Sequence, residues 1–198
     1  MGGGKSGISS DPRERKFEQT FRTEEDKIVH DTIEHGLVYD QYGGLLEHAI
    51  GDEYHVEPST YYLNMQDIRL THNHPDWNIN DVIFPGGVFS PDDLYQFQYY
   101  RGTKELRAVD SERRYSLKRM ASIDGANGKG MASAYSKYAE SLEKEATTVS
   151  DKAVADGKIP DDEGHYNKHC MQYIFSHCRK WLRNHAKEYG YQYSEHKR

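Results

Sequence analysis

Apolar residues are the scarce material in this chain. Of its 198 residues only 35% are hydrophobic, and 16 of those are tyrosines, whose hydroxyls need water or a partner. Ordinary globular domains run at about 45–50% apolar residues with glycine counted. The composition therefore argues against two full domains and for one core of roughly 100–130 residues with poorly packing segments attached. No run of 18 apolar residues occurs and no hydrophobic stretch follows residues 1–5, so neither a membrane span nor a secretory signal is read. A soluble, cytoplasmic protein is expected. Cysteine is nearly absent: Cys170 and Cys178 are too few for a disulfide framework and read as free thiols.

Charge of one sign is missing from neither end, but it is unevenly spread. The net charge is −6, while residues 165–198 hold seven Lys/Arg against Glu188 and Glu195 and so carry +5, which leaves −11 for residues 1–164. Such a tail suits contact with nucleic acid or an acidic protein partner, although a solvated helix face is the plainer and preferred reading.

Residues 1–18 hold nothing to bury before Phe17 and are expected to be mobile. Two look-alikes lie there. Gly4-Lys5-Ser6 resembles the end of a phosphate loop without the glycine five positions earlier, and Gly2 with Ser6 fits the short myristoylation pattern. Phe21, Ile28, Val29 and Ile33 recur at helical spacing and predict a helix over 23–33. Leu37-Val38-Tyr39, the turn Tyr42-Gly43-Gly44 and the stretch 45–50 read as a hairpin, with Tyr54-His55-Val56 as its continuation. Ile68-Arg69-Leu70-Thr71 alternates as a strand that must stop near Pro75.

Residues 76–89 read as a loop. Ser90 then caps a helix with Pro91 at its first position, and Leu106-Arg107-Ala108-Val109 and Tyr115-Ser116-Leu117 predict two strands around a turn at 110–112. This order gives an α+β fold, a mixed sheet flanked by helices. From Ala121 the glycines Gly125, Gly128 and Gly130 suggest a linker, followed by a polar helix over 136–154. An amphipathic helix over about 163–187 carries Tyr166, Cys170, Tyr173, Ile174, Cys178, Trp181 and Leu182.

His72 and His74 are one residue apart at a strand end, and the two-residue period places both imidazoles on one face. Asp93, in the first turn of the next helix, can bring a carboxylate to the same ion. Two imidazoles and a carboxylate leave one tetrahedral position for water, the composition of a catalytic zinc site. Each piece alone has a plain reading, a surface or core histidine pair and an ordinary helix cap. Together, His-x-His-Pro at a strand end followed by Ser-x-x-Asp at a helix start resembles the JAB/JAMM zinc metalloprotease superfamily. Thr71-His72-Asn73-His74-Pro75 looks most like its RadC branch, and Phe89-Ser90-Pro91-Asp92-Asp93-Leu94 looks like JAB domains attached to phage head proteins.

The resemblance covers about residues 25–119 and implies a curved mixed sheet between helices. By motif it implies His72, His74 and Asp93 as zinc ligands and Ser90 as the group that steadies the oxyanion. It also implies a glutamate before the first core strand as general base. Glu34 is the best match, and Glu47 and Glu53 are rivals. Without such a role Glu34 is an anion at a helix C-terminus, where the macrodipole mildly disfavours it. The implied activity is zinc-dependent cleavage of a peptide or isopeptide bond, with a ubiquitin-like or phage structural protein as candidate substrate, and a virion-associated location if phage-encoded.

The organisation that follows is a flexible segment over 1–20, a JAB/JAMM-like metal-binding domain over 21–119, and a linker with a helical extension over 120–198. Two departures stand out: 14 residues separate Pro75 from Ser90, about twice the family's usual spacing, and Asp76-Trp77 replaces the Ser-Gly usual after the proline. The inserted Trp77, Ile79, Val82, Ile83 and Phe84 make either a substrate-binding lid or a plug. The rival class is a non-catalytic JAB-fold interaction module whose basic tail contacts nucleic acid or a protein. A second metal at His165, His169 and Cys170 is a weaker alternative, because Cys170 points about 100° round the helix from His169.

Overall fold

The computed structural model describes residues 11–120 and 130–198. The look-alike motifs at Gly2, Gly4, Lys5 and Ser6 and the glycines Gly125 and Gly128 lie outside these residues. The fold is α+β, a six-stranded mixed sheet in the order β2-β1-β3-β6-β7-β8, with helices against it. Its strands are β1 (His35–Tyr39), β2 (Leu45–Ile50), β3 (Ile68–Asn73), β6 (Thr103–Val109), β7 (Arg113–Arg119) and β8 (Tyr191–Lys197). Only β3 and β6 run parallel; every other neighbouring pair is antiparallel.

The first helix, α1 (Pro12–Ile28), starts and ends earlier than hydrophobic periodicity predicts and takes in residues expected to be mobile. Asp11 caps it by accepting from Arg13 N at 2.8 Å, and Pro12 opens it. Its buried face holds Phe17, Phe21, Ile28 and Glu25, so part of the sheet-facing stripe is acidic. Those carboxylates meet arginines that rise from the sheet. Glu25 accepts from Arg107 Nε at 2.7 Å, from Arg114 Nε at 3.1 Å and from Thr71 Oγ1 at 3.0 Å. Glu18 takes Arg107 Nη1 at 2.9 Å, and Glu14 and Glu105 take Arg69. A count of apolar residues alone cannot see this face.

The β1–β2 hairpin forms as its sequence predicts, but Tyr54-His55-Val56 does not extend it. Asp52 Oδ1 accepts from Tyr54 N and His55 N, 2.8 and 2.9 Å away, and this Asx-type turn folds the chain back toward the short α2 (Thr60–Leu63). The stretch read as a loop after Pro75 contains a second small sheet, β4 (Trp77–Ile79) and β5 (Val82–Phe84). Asn80 and Asp81 turn it with φ of 51° and 65°, the left-handed pair of a two-residue hairpin turn. Helix α3 (Pro91–Tyr99) follows where expected, as do β6 and β7.

The helices α4 (Met131–Ala155) and α5 (Glu163–His185) cover the apolar face of the sheet. Met131, Tyr135, Leu142, Cys178 and Leu182 join Val38, Leu70, Leu94, Leu106 and Leu117 in one core. Helices α4 and α5 therefore share one core with the sheet strands before residue 119. After a 3-10 turn (Ala186–Tyr189) and Gly190, in the left-handed region at φ 83°, the expected tail becomes the edge strand β8. Tyr191 is buried there against the core.

Candidate metal centre

At the end of β3 the backbone alternation turns His72 and His74 to the apolar side of the sheet, the side that carries Leu70 and Val38. Their Nε2 atoms lie 2.9 Å apart. Asp93 reaches the same point from the first turn of α3, with 3.1 Å from Oδ1 to His72 Nε2 and 3.4 Å from Oδ2 to His74 Nε2. Among the described residues this is the one group of three or more ligand-type side chains whose donor atoms converge, all within 4.8 Å of one another.

The donor set fits zinc. Three ligand atoms on a tetrahedral ion with bonds of about 2.0–2.1 Å stand about 3.3 Å apart, close to the separations above. His74 Nδ1 lies 2.8 Å from the carbonyl of Gly87 and donates to it, which leaves the Nε2 lone pair free for an ion. His72 Nδ1 is buried without a hydrogen-bond partner, so its Nε2 is the nitrogen that meets the other ligands.

The electrostatics of the cluster favour a cation. Burial works against charge on His74, but the Asp93 hydrogen bond and carboxylate, then Glu34 and the Gly87 carbonyl, push its pKa up to about 9. Burial likewise works against the Asp93 anion, yet His72 and His74 hold its carboxyl well below the usual range. Protons sit where a metal ion can replace them.

Glu34 stands directly ahead of β1, half-buried. Burial raises its pKa above the usual carboxylate value, against the pull of His72 and His74 and with Asp93 adding to the rise. A carboxylate raised in this way is suited to take a proton. The rivals are engaged elsewhere. Glu47 Oε2 accepts from Ser59 N at 2.8 Å, which anchors the chain before α2, and Glu53 is exposed in the turn after β2.

Ser90 and Asp93 form a reciprocal capping box. Asp93 N donates to Ser90 Oγ at 3.1 Å and Ser90 N donates to Asp93 Oδ2 at 2.6 Å. The cap fixes the Asp93 carboxylate beside the histidines. Ser90 Oγ accepts in this pair, so its own proton is available to another acceptor.

The inserted β4–β5 hairpin is held in place by α5. Asn80 Nδ2 donates to Glu163 Oε2 at 3.0 Å, and Lys168 Nζ donates to the carbonyl of Ile83 at 3.2 Å. Trp77, 37% exposed, stacks on Phe84 and touches Tyr54 across from it. The chain that leaves the hairpin returns to His74, whose Nδ1 meets the Gly87 carbonyl.

The residues of the weaker second-metal reading do not converge. His165 Nδ1 turns to Asp162 at the start of α5, while His169 Nδ1 and Cys170 Sγ both meet Ser150 Oγ, at 2.9 and 3.0 Å. Several cations of the basic tail have partners: Arg183 and Arg179 pair with Glu195, and Arg198 with Asp26. No helix among the described residues is long and apolar enough to cross a membrane.

One residue at the site is given no role by the motif reading, although it stands inside the Thr71–Pro75 wording quoted for the resemblance. Asn73, between the histidines, is fully buried and points to the other side of the strand, where its amide meets the backbone on either side of Glu34.

No family model gives a significant match to the chain, and neither does any curated protein or solved structure.

Proposed function

We propose that this protein is a zinc-dependent hydrolase of peptide or isopeptide bonds, with His72, His74 and Asp93 holding the metal. The convergence of the two Nε2 atoms and the Asp93 carboxylate carries the reading, with Glu34 near them as a second carboxylate outside the ligand set. Zinc bound there supplies a Lewis acid that lowers the pKa of water toward about 7 and polarises a carbonyl.

The chain's own residues supply the proton traffic. Glu34, raised by burial, takes a proton from the attacking water and returns it to the leaving amine. The Ser90 hydroxyl, whose oxygen accepts from the Asp93 amide, keeps its O–H free to donate a hydrogen bond to the oxyanion. The cavity that reaches His72 and Asp93 is lined by Val56, Pro58, Leu63 and Phe97, an apolar surface for a substrate side chain.

Elemental analysis of untagged protein from zinc-replete expression tests this directly. About one zinc per chain is expected, and none after His72→Ala with His74→Ala. Wild-type protein without zinc sinks the reading. On fluorogenic peptide and isopeptide substrates with zinc in excess, Glu34→Gln should still load about one zinc per chain and lose about 10²–10⁴-fold in rate, any weaker affinity showing only in competition with a chelator.

A further inference from the structure

Beyond Gly36 the β1–β3 ladder stops, its last pair being Gly36 with His72. The next positions in that register are His35 opposite Asn73 and Glu34 opposite His74. At this point β3 turns its backbone to the other neighbour, and His74 N donates to the carbonyl of Val109, at the end of β6, at 2.8 Å. The strand that carries the base and the strand that carries the ligands thus lose their backbone pairing at the place where the two must face each other.

The Asn73 side chain takes over. Its Oδ1 accepts from His35 N at 2.7 Å and its Nδ2 donates to the carbonyl of Ile33 at 2.9 Å. One amide therefore holds the residue before Glu34 and the residue after it. On the opposite edge Glu34 N donates to the carbonyl of Asp52 at 2.6 Å, and Gly51 N donates to the carbonyl of Glu34 at 2.8 Å. The backbone around Glu34 is fixed from both sides, and only the Asn73 side binds it to the metal ligands. An amide is the side chain of this length with both a donor and an acceptor to satisfy the two groups.

We infer that Asn73 is a positioning residue that sets the Glu34 carboxylate against the metal centre. The inference rests on the zinc-hydrolase reading above and adds a residue that touches neither metal nor substrate. His72 is held through its strand pairing with Gly36 and Ala108, and His74 by the Gly87 carbonyl, so loss of the amide should release Glu34 and leave the ligand set intact.

The test is a double-mutant cycle on zinc affinity, which needs no substrate. Full-length wild type, Asn73→Ala, Glu34→Gln and the double variant compete for zinc with a chromophoric chelator, with thermal melts confirming each fold. Loss of a group that supports a metal site outside its ligands costs about 10–100-fold in affinity. Glu34→Gln and Asn73→Ala should each cost within that range, and the double variant should be no weaker than Glu34→Gln, because Asn73 acts through the carboxylate.

Losses that simply add would show that Asn73 supports the histidines instead, and an unchanged affinity for Asn73→Ala would show that it supports nothing at the site; either overturns the inference. If the alanine variant does not fold, Asn73→Ser takes its place in the same cycle. Hydrogen exchange gives a second readout, since the His35 amide should be protected in wild type and exposed in the variant. Wild-type protein that binds no zinc fails the parent reading, and the inference falls with it, a result distinct from additive losses in a protein that does bind.

Discussion

Removing the Glu25 carboxylate is the sharpest test of how α1 is held to the sheet. Glu25 is 0% exposed and receives Arg107 Nε, Arg107 Nη2, Arg114 Nε and Thr71 Oγ1. Glu25→Ala leaves a hole and strands buried guanidinium groups, and breaking a buried ion pair from one side costs about 3–5 kcal/mol. Arg107 keeps Glu18 at 2.9 Å and Glu105 at 3.3 Å, and Arg114 keeps Asp26 at 2.6 Å, which places the loss at the lower end. About 3 kcal/mol corresponds to a fall in Tm of about 6–12 °C for a chain of this length. Urea unfolding followed by tryptophan fluorescence measures it. The paired replacement Glu25→Leu with Arg107→Met removes both charges, and such exchanges are often neutral or stabilising. It should therefore cost less than the single change. A single variant within about 1 kcal/mol of wild type, or a pair worse than the single, would show that Phe17, Phe21 and Ile28 hold the helix without the ion network.

Three further outcomes follow from the same structure. Leu182→Ala, at a position with 0% exposure between α5 and the sheet, should cost about 2–5 kcal/mol in urea unfolding, whereas a C-terminal helix merely attached to a finished core would lose little. Arg69 hydrogen bonds hold the Glu14 pKa at about 2 against an ordinary value of 4.5, so this carboxylate stabilises the fold above pH 4.5 and the contribution is lost as pH falls toward 2. Glu14→Gln should flatten the stability profile across that window, as measured by melting temperature at stepped pH. Trp77, two residues beyond Pro75 and stacked on Phe84, should change its emission when a chelator strips zinc from a Trp181→Phe protein; constant emission after confirmed removal would separate the hairpin from the site.

The elements legible in the sequence are those whose signal is local. Ser90-Pro91 opens α3, the glycine turn at 43–44 closes the β1–β2 hairpin, and Pro75 ends β3. Two of the larger misreadings share one cause, that the partner stands far along the chain. Glu14, Glu18 and Glu25 look like the solvated face of a charged segment until Arg69 and Arg107 arrive from β3 and β6. Tyr191 and Tyr193 alternate with Gln192 and Ser194 as a strand should, but seven residues at the end of a charged tail gain a meaning only beside β7. The β4–β5 hairpin did leave a local mark, the Asn80-Asp81 pair, between strands too short for alternation to register.

The site follows the same division, and the sheet explains why. His72 and His74 are readable because a period of two sends both to one face, but the period also sends Arg69, Thr71 and Asn73 to the other. That other face carries the ion network and the Asn73 clamp, while the ligand face carries Leu70 and the core. A slip of β3 by one residue would exchange the two sets, burying Arg69 in the apolar core and turning the imidazoles toward α1. The register of the site is therefore enforced by charges on the far side of the strand. The same register sets the arginines against α1 and leaves the other face to the histidines and Asp93. Stability of the polar face and geometry of the candidate metal site are two consequences of one strand register, so a variant that weakens the Glu25 network without shifting β3 should lose stability and keep whatever zinc stoichiometry the wild type shows.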